Sequence, residues 1–336
     1  MSLDIQMSAY ETKRQTYSNL QRRYGEDRVA SRYDEAVMDV QATTNFHYRP
    51  IWDRGRDLYD PRRTAIVMED WYALRDPRQF YYASYNINRA GMNQDATRAL
   101  EQVESQGLLD LVDADWRASL PQRLVAFRHY EWGANMNSWY VADYAYGTAV
   151  SSASAFAGAD RLGMAQQLGN FGLLLGDNGP GALEAGRDAW LQADRWQPLR
   201  HAVEDSLVID DWFENLLAQN LALDGVLHPL LFSKVADFGR EEKGAVAVSL
   251  ATAFMRDWYD DHKRWVDAMI RGAAQESEAN RAQLSTWFGS WLERAREAAA
   301  PIAREDLGDD SALSEVVDGL IARAESLGIT PKGAAK

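Results

Sequence analysis

The chain has 336 residues, 46% of them hydrophobic, with 12 Trp, 15 Tyr and 10 Phe but no cysteine. At ~150 residues per domain it could make two domains or one large body, and the lack of Cys excludes disulfides, thiolate metal sites, iron–sulfur clusters and cysteine nucleophiles. Fifty acids against 36 bases give a net charge of −14, a sign that repels phosphate backbones and anionic membrane surfaces.

No N-terminal stretch joins basic residues to an apolar run, so a secretory signal is not indicated. The uncharged run from Tyr144 to Ala159 is 16 residues, rich in Ser, Gly and Ala. A membrane span needs ~20 mostly apolar residues. The expectation is a soluble, cytoplasmic protein with neither nucleic acid nor membrane as partner.

Residues 1–65 have weak helical periodicity, broken by Pro50 and Pro61, and carry scattered charges with isolated large aromatics. They read as an ordered arm that reaches partner subunits, with Phe46, Tyr48, Trp52 and Tyr59 as interface residues. Residues 66–330 read as a single helical domain. Asp76-Pro77 looks like an N-cap followed by proline at the first helical position, and residues 92–107 form a helix stopped by Gly107. Between Leu120 and Leu175, the positions Leu124, Phe127, Glu131, Asn135, Trp139 and Ala142 advance along one helical face. Small residues from Ala145 to Ala159 follow, lying on nearly every side, and they predict a helix enclosed at the centre of a bundle. A turn inside this run gives two antiparallel helices of roughly 25 residues each. Gly176 to Gly181 is a loop. A second pair covers Leu199 to about Val235, kinked or ended by Pro229, and Ala245 to Arg271. Two shorter helices, around Leu284–Ala295 and Leu313–Leu327, close the chain. No period-2 strand pattern is present. The fold predicted is all-α: a four-helix core with accessory helices.

Such a body suggests the ferritin-like carboxylate di-iron proteins, which need a Glu-x-x-His on each of two helices. Only five histidines exist, and the residues three before them are Thr44, Ala126, Pro198, Gly225 and Tyr259. A di-iron site of that type is excluded by counting. His201, Glu204 and Asp205 read as a solvated ion-pair face, as does the cluster Asp257, Asp260, Asp261, His262, Lys263 and Arg264. Asp224 and His228, at i, i+4, read as a satisfied core interaction. Gly179-Pro180-Gly181 is not a phosphate cradle, because no Gly-Lys-Ser/Thr follows.

Long motifs then carry a resemblance. They are Arg14-Gln15-Thr16-Tyr17 with Asn19-Leu20-Gln21-Arg22-Arg23, Thr44-Asn45-Phe46-His47-Tyr48-Arg49-Pro50 and Asp76-Pro77-Arg78-Gln79-Phe80-Tyr81-Tyr82, then Gly133-Ala134-Asn135-Met136-Asn137 and Asp160-Arg161-Leu162-Gly163-Met164. Asp210-Asp211-Trp212-Phe213-Glu214 and Phe254-Met255-Arg256-Asp257-Trp258-Tyr259 complete the set. The chain resembles the β subunit of the hydroxylase component of bacterial multicomponent phenol hydroxylases, within the soluble di-iron monooxygenases. The resemblance implies a ferritin-like fold, no catalytic residue and no cofactor in this chain, and a di-iron centre in a partner α subunit. It also implies partners: α and γ hydroxylase subunits, a second β subunit and a regulatory protein, with a reductase acting on the complex. The assembly would convert phenol to catechol with O2 and NADH, as part of aromatic degradation. Where the family's iron-binding helix has Glu and His, this chain has Arg161 and Met164. The second such motif falls on Phe254 and Asp257, and Glu131 and Asp224 stand where single carboxylates would be. Glu131 with Arg161 is then a natural buried pair. The β subunit of a toluene or alkene monooxygenase stays open as an alternative. So does a self-sufficient oxidase using an unusual ligand set such as Glu131, Asp224 and His228.

Overall fold

The computed structural model describes residues 17–26, 28–42 and 49–332, and among these no strand occurs. Phe46 and Tyr48 lie outside the described residues. No helix among the described residues is long and apolar enough to cross a membrane.

Two short helices, α1 (Ser18–Tyr24) and α2 (Arg32–Val37), open the described chain. Ser31 caps α2 by accepting from Asp34 N, and Asp34 accepts from Ser31 N in return. This reciprocal pairing satisfies two otherwise orphaned donors. Leu20, Tyr33, Val37 and Met38 form a small apolar cluster with Tyr72 and Ala149 of the body. Gln41 fastens the segment further, donating to Ala145 O at 2.9 Å and accepting from Gly147 N at 2.9 Å.

The predicted helix start at Asp76-Pro77 is a turn instead. Asp76 spends its carboxylate on the Arg78 backbone and guanidinium, and Gln79 sits at φ 55°, in the left-handed region that ends helical propagation. Helix α3 (Tyr82–Ser105) therefore begins later, with Ser84 Oγ accepting from Tyr81 N, and Gly107 at φ 60° follows its end as expected.

After α4 (Ala114–Arg123), α5 (Arg128–Tyr144) and α6 (Thr148–Leu175) form the expected antiparallel hairpin. The turn between them needs a positive φ (92°), which Gly147 supplies at no steric cost. Helix α6 is not enclosed on every side. Ala153, Ala157, Arg161, Met164 and Leu168 are buried, whereas Ala159, Leu162, Gly163 and Gln166 form an open strip.

Helices α7 (Gly181–Gln192) and α8 (Gln197–Ser206) lead to a long rod: α9 (Trp212–Leu217), α10 (Asp224–Pro229) and α11 (Ala236–Glu242), joined by π-helical segments at Ala218–Leu223 and Leu230–Val235. Pro229 neither kinks nor ends this rod. It closes α10, and the second π segment follows directly, so the helical path continues with wider turns beyond the residue that lacks an N–H. The second long pair is completed by α12 (Val246–Glu276), and α13 (Glu278–Leu307) and α14 (Ser311–Ser326) cover it. On α12 the buried stripe is Met255, Trp258, His262, Trp265 and Met269, at steps of three and four. The core is continuous across α5, α6, the α9–α11 rod, α12 and α13.

A buried ion-paired centre in the bundle

Each of three central elements contributes one charged group to the middle of the bundle. Glu131 comes from the first turn of α5, Arg161 from mid-α6 and Asp224 from the junction between the first π segment and α10, and all three side chains have 0% exposure. Arg161 Nη1 donates to Glu131 Oε2 at 2.9 Å, and its Nη2 donates to Asp224 Oδ2. The same guanidinium lies over the Trp258 ring, 4.4 Å from its centroid. A planar cation with several fixed donors suits two carboxylates and a ring face at once.

His228 closes the group. Its Nε2 is 3.1 Å from Arg161 Nη1 and 3.2 Å from Glu131 Oε1, and its ring stacks on Tyr259. Tyr130 donates to Asp224 Oδ1 at 2.5 Å, and Gln219, on the first π segment, donates to both Tyr130 and Asp224. Outward from Gln219 runs a string of amides: Asn137 donates to Gln219 and Ser206, and Asn215 donates to Asn137. On the other side, His262 Nε2 meets Asn220 Oδ1 at 2.9 Å, and Asp160 accepts from Trp258 Nε1 at 2.8 Å.

The electrostatics follow from this geometry. Burial alone would push the Glu131 carboxyl up, but Arg161 and the contact with His228 hold it below its usual range. Arg161 is held charged despite its own burial by Asp224 and Glu131. Burial, with the Asp224 charge beside it, raises the Tyr130 phenol far above its usual value. Burial first, then the nearby Arg161 charge, drives the His262 imidazole well below its usual value.

Glu131, Arg161 and Asp224, expected together on the family's pattern, do meet. Met164 is buried one turn farther along α6. Phe254 is half-buried and Asp257 is exposed, so the structure leaves both outside the centre. Trp258 and His262 face inward from α12 in their place. Asp224 and His228 are both buried inside the network. His201 is exposed, while Glu204 pairs with Arg200 and Asp205 with Arg294, a wet helix face as expected. Trp52 is 76% exposed, its Nε1 donating to Tyr144 at 3.0 Å, and Tyr59 is half-buried edge-on to Tyr146.

Sequence reasoning missed Tyr130, Gln219, Asn137 and Trp258. For Gln219 and Asn137 the signal was the density of amides on apolar faces: Asn137, Asn215, Gln219 and Asn220 all fall on stretches otherwise read as core. Chemically the arrangement sets one guanidinium between two buried carboxylates and hydrogen-bonds it to each. A metal ion at this point would have to displace Arg161 from between them, so the donor set does not fit a di-iron pair. Among the described residues no group of three His, Asp or Glu side chains is arranged to hold a metal.

The oxygenase component DmpL of phenol 2-monooxygenase from Pseudomonas sp. (strain CF600) is 46% identical over 330 residues, covering 98% of each chain. The oxygenase component MhpL of phenol 2-monooxygenase from Acinetobacter pittii (strain PHEA-2) is 37% identical over 331 residues, covering 98% of this chain and 99% of that one. Among solved structures, phenol hydroxylase from Pseudomonas sp. OX1 superposes with a TM-score of 0.92 at 41% identity, covering 98% of this chain and all of that one. The expected all-α, ferritin-like bundle is the fold. A family model described as Methane/Phenol/Alkene Hydroxylase matches residues 52–277, more than half of the chain, and to that family the chain belongs.

Proposed function

We propose that this chain is the non-catalytic β subunit of a multicomponent phenol hydroxylase. In this reading it holds two αβγ protomers together and helps shape the docking surface for a regulatory protein. The assembly converts phenol to catechol in the cytoplasm with O2 and NADH, and the di-iron centre belongs to the α subunit. Identity of 46% to a phenol 2-monooxygenase oxygenase component over nearly the whole chain supports the choice of phenol.

The observation that carries the non-catalytic role is Arg161. Its guanidinium bridges Glu131 and Asp224, the two carboxylates that could otherwise serve a cation. What the centre then supplies is rigidity: three elements are tied through charge-assisted hydrogen bonds, each stronger than a neutral one. The role as architecture is supported by the surface. Trp132, Met136 and Trp139, on α5, and Leu162, on α6, are exposed apolar groups. Clusters of this kind usually mark contacts with other chains. Residues 1–65 are assigned to partner contact on the same ground, Trp52 and Ile51 being exposed.

The test is elemental analysis with turnover. The purified chain is expected to hold no stoichiometric iron and to hydroxylate nothing alone, and to restore activity when mixed with its α and γ subunits. About two irons per isolated chain would overturn the reading.

A further inference from the structure

Between α3, α6 and α12 lies a cleft of about 150 Å³, separated from Arg161 by the Trp258 ring, which lines it. Its size matches engineered apolar cavities, ~150 Å³, that take up benzene. Met92, Met164, Phe254 and Trp258 contribute two thioethers and two aromatic rings to its lining. Such soft, polarizable groups favour an aromatic ring. At the open strip of α6, a Cβ added to Gly163 would meet nothing within 4 Å. Gly163 thus borders the cleft without a side chain of its own.

One polar group in the lining is incompletely satisfied. Gln167 Nε2 donates to Asn93 Oδ1 at 3.1 Å, while Gln167 Oε1 is buried without a hydrogen-bond partner. The charged groups nearby are already committed to one another. Asp160 accepts from Tyr85, from Arg89 and from Trp258. An anionic ligand therefore finds no free cation here, whereas a neutral hydroxyl, both donor and acceptor, can pair with the Gln167 amide once rotation of its terminal torsion turns the buried oxygen to the cleft.

We propose that this cleft binds one small neutral phenolic ring, with the ring among Met92, Met164 and Phe254 and the hydroxyl on the Gln167 amide. The proposed function enters only in the choice of a phenol as ligand. Binding is read in this chain without iron or sister subunits, so its failure is distinguishable from failure of that function, which elemental analysis reads.

The experiment is a phenol titration of the full chain carrying ¹³C-methyl methionine, with Met92 and Met164 signals assigned through Met92→Leu and Met164→Leu. Phenol is expected to shift both signals saturably while Met269, buried in the core, stays in place. Toluene, of equal size without the hydroxyl, should bind at least threefold more weakly, and Gln167→Leu should erase that preference. Gly163→Phe should fill the cleft and weaken phenol binding at least tenfold. Unmoved Met92 and Met164 signals, or equal response of all methionines, overturns the site. Equal affinity for phenol and toluene overturns the role of Gln167. The wild-type titration needs no cleft-filling variant, so a folding defect in Gly163→Phe leaves it decisive.

Discussion

Arg161→Met is the sharpest perturbation of the centre. It leaves Glu131 and Asp224, both with 0% exposure, without the cation that bridges them. Removing one partner of a buried ion pair costs about 3–5 kcal/mol, because the remaining charge stays desolvated. Against a typical total of about 5–15 kcal/mol, that is about a fifth of the stability or more. The triple variant Arg161→Met, Glu131→Gln, Asp224→Asn removes all three charges and keeps an acceptor for Tyr130 and Gln219. It should recover part of the loss, since no uncompensated charge is then left buried. The pH dependence has a definite sign. In the native chain Glu131 is depressed, so its contribution is present above the unfolded value of about 4.3 and fades as pH falls through the folded one. In Arg161→Met burial acts on the Glu131 carboxyl without the guanidinium that opposed it, the carboxyl rises, folding takes up a proton, and the deficit should shrink as pH drops from 8 towards 5. Guanidinium unfolding followed by tryptophan fluorescence across that range reads both effects. A deficit below about 1 kcal/mol at pH 7.5, or a triple variant no more stable than the single one, would refute the reasoning.

Three other outcomes are expected. His262 is fully buried and its imidazole is held far below its usual value by burial and by Arg161; the unfolded chain therefore binds one more proton below about pH 6.5, and stability should fall by about 1.4 kcal/mol per pH unit there, a slope that His262→Gln should flatten in acid denaturation. A Cβ at Gly289 would sit 2.2 Å from Lys332 O, and Lys332 N donates to Ser285 O; Gly289→Ala should loosen the segment after α14, expose it to limited proteolysis and cost about 1–3 kcal/mol by overpacking. Deleting residues 1–60 removes the Trp52–Tyr144 and Arg56–Asp210 contacts; the native mass of the assembled hydroxylase should drop by gel filtration, and an unchanged mass would speak against the arm as an inter-subunit element.

Long elements were legible because they bury wide, regular stripes. On α12 the apolar residues recur at helical steps from Leu250 to Met269, and no local chemistry competes with them. Punctuation was harder to read. Asp76-Pro77 has the chemistry of a helix start, yet the same carboxylate can hold the Arg78 side chain and close a turn, and only tertiary packing decides between them. Pro229 has the chemistry of a helix end, but two π segments on either side let the rod run on. Nothing in single residues announces a π segment. Its benefit is collective: Gln219 sits on the first such segment within reach of both Tyr130 and Asp224.

The centre was half legible, and the missing half has a physical cause. Glu131, Arg161 and Asp224 are rare residues on apolar faces, so each stands out as a charge that must find a partner. On α12 the pattern Phe254-x-x-Asp257 matched a ligand spacing in sequence while violating the helix's own phase. Asp260 and Arg264, three and seven residues on, share the side of Asp257, and all three are exposed. A residue on the wet face cannot reach the bundle axis, whatever its spacing from a neighbour. Trp258, one position further on and about 100° around the helix, is the group that does reach it. What it meets there is Arg161, 4.4 Å from its ring. Aromatic faces attract guanidinium but offer no lone pair to a metal. The residue opposite Arg161 on α12 is therefore itself matched to an organic cation, and the two positions make chemical sense together: a bundle that keeps two carboxylates at its axis must keep a positive charge between them, and here both neighbouring helices are built for one that is covalently attached.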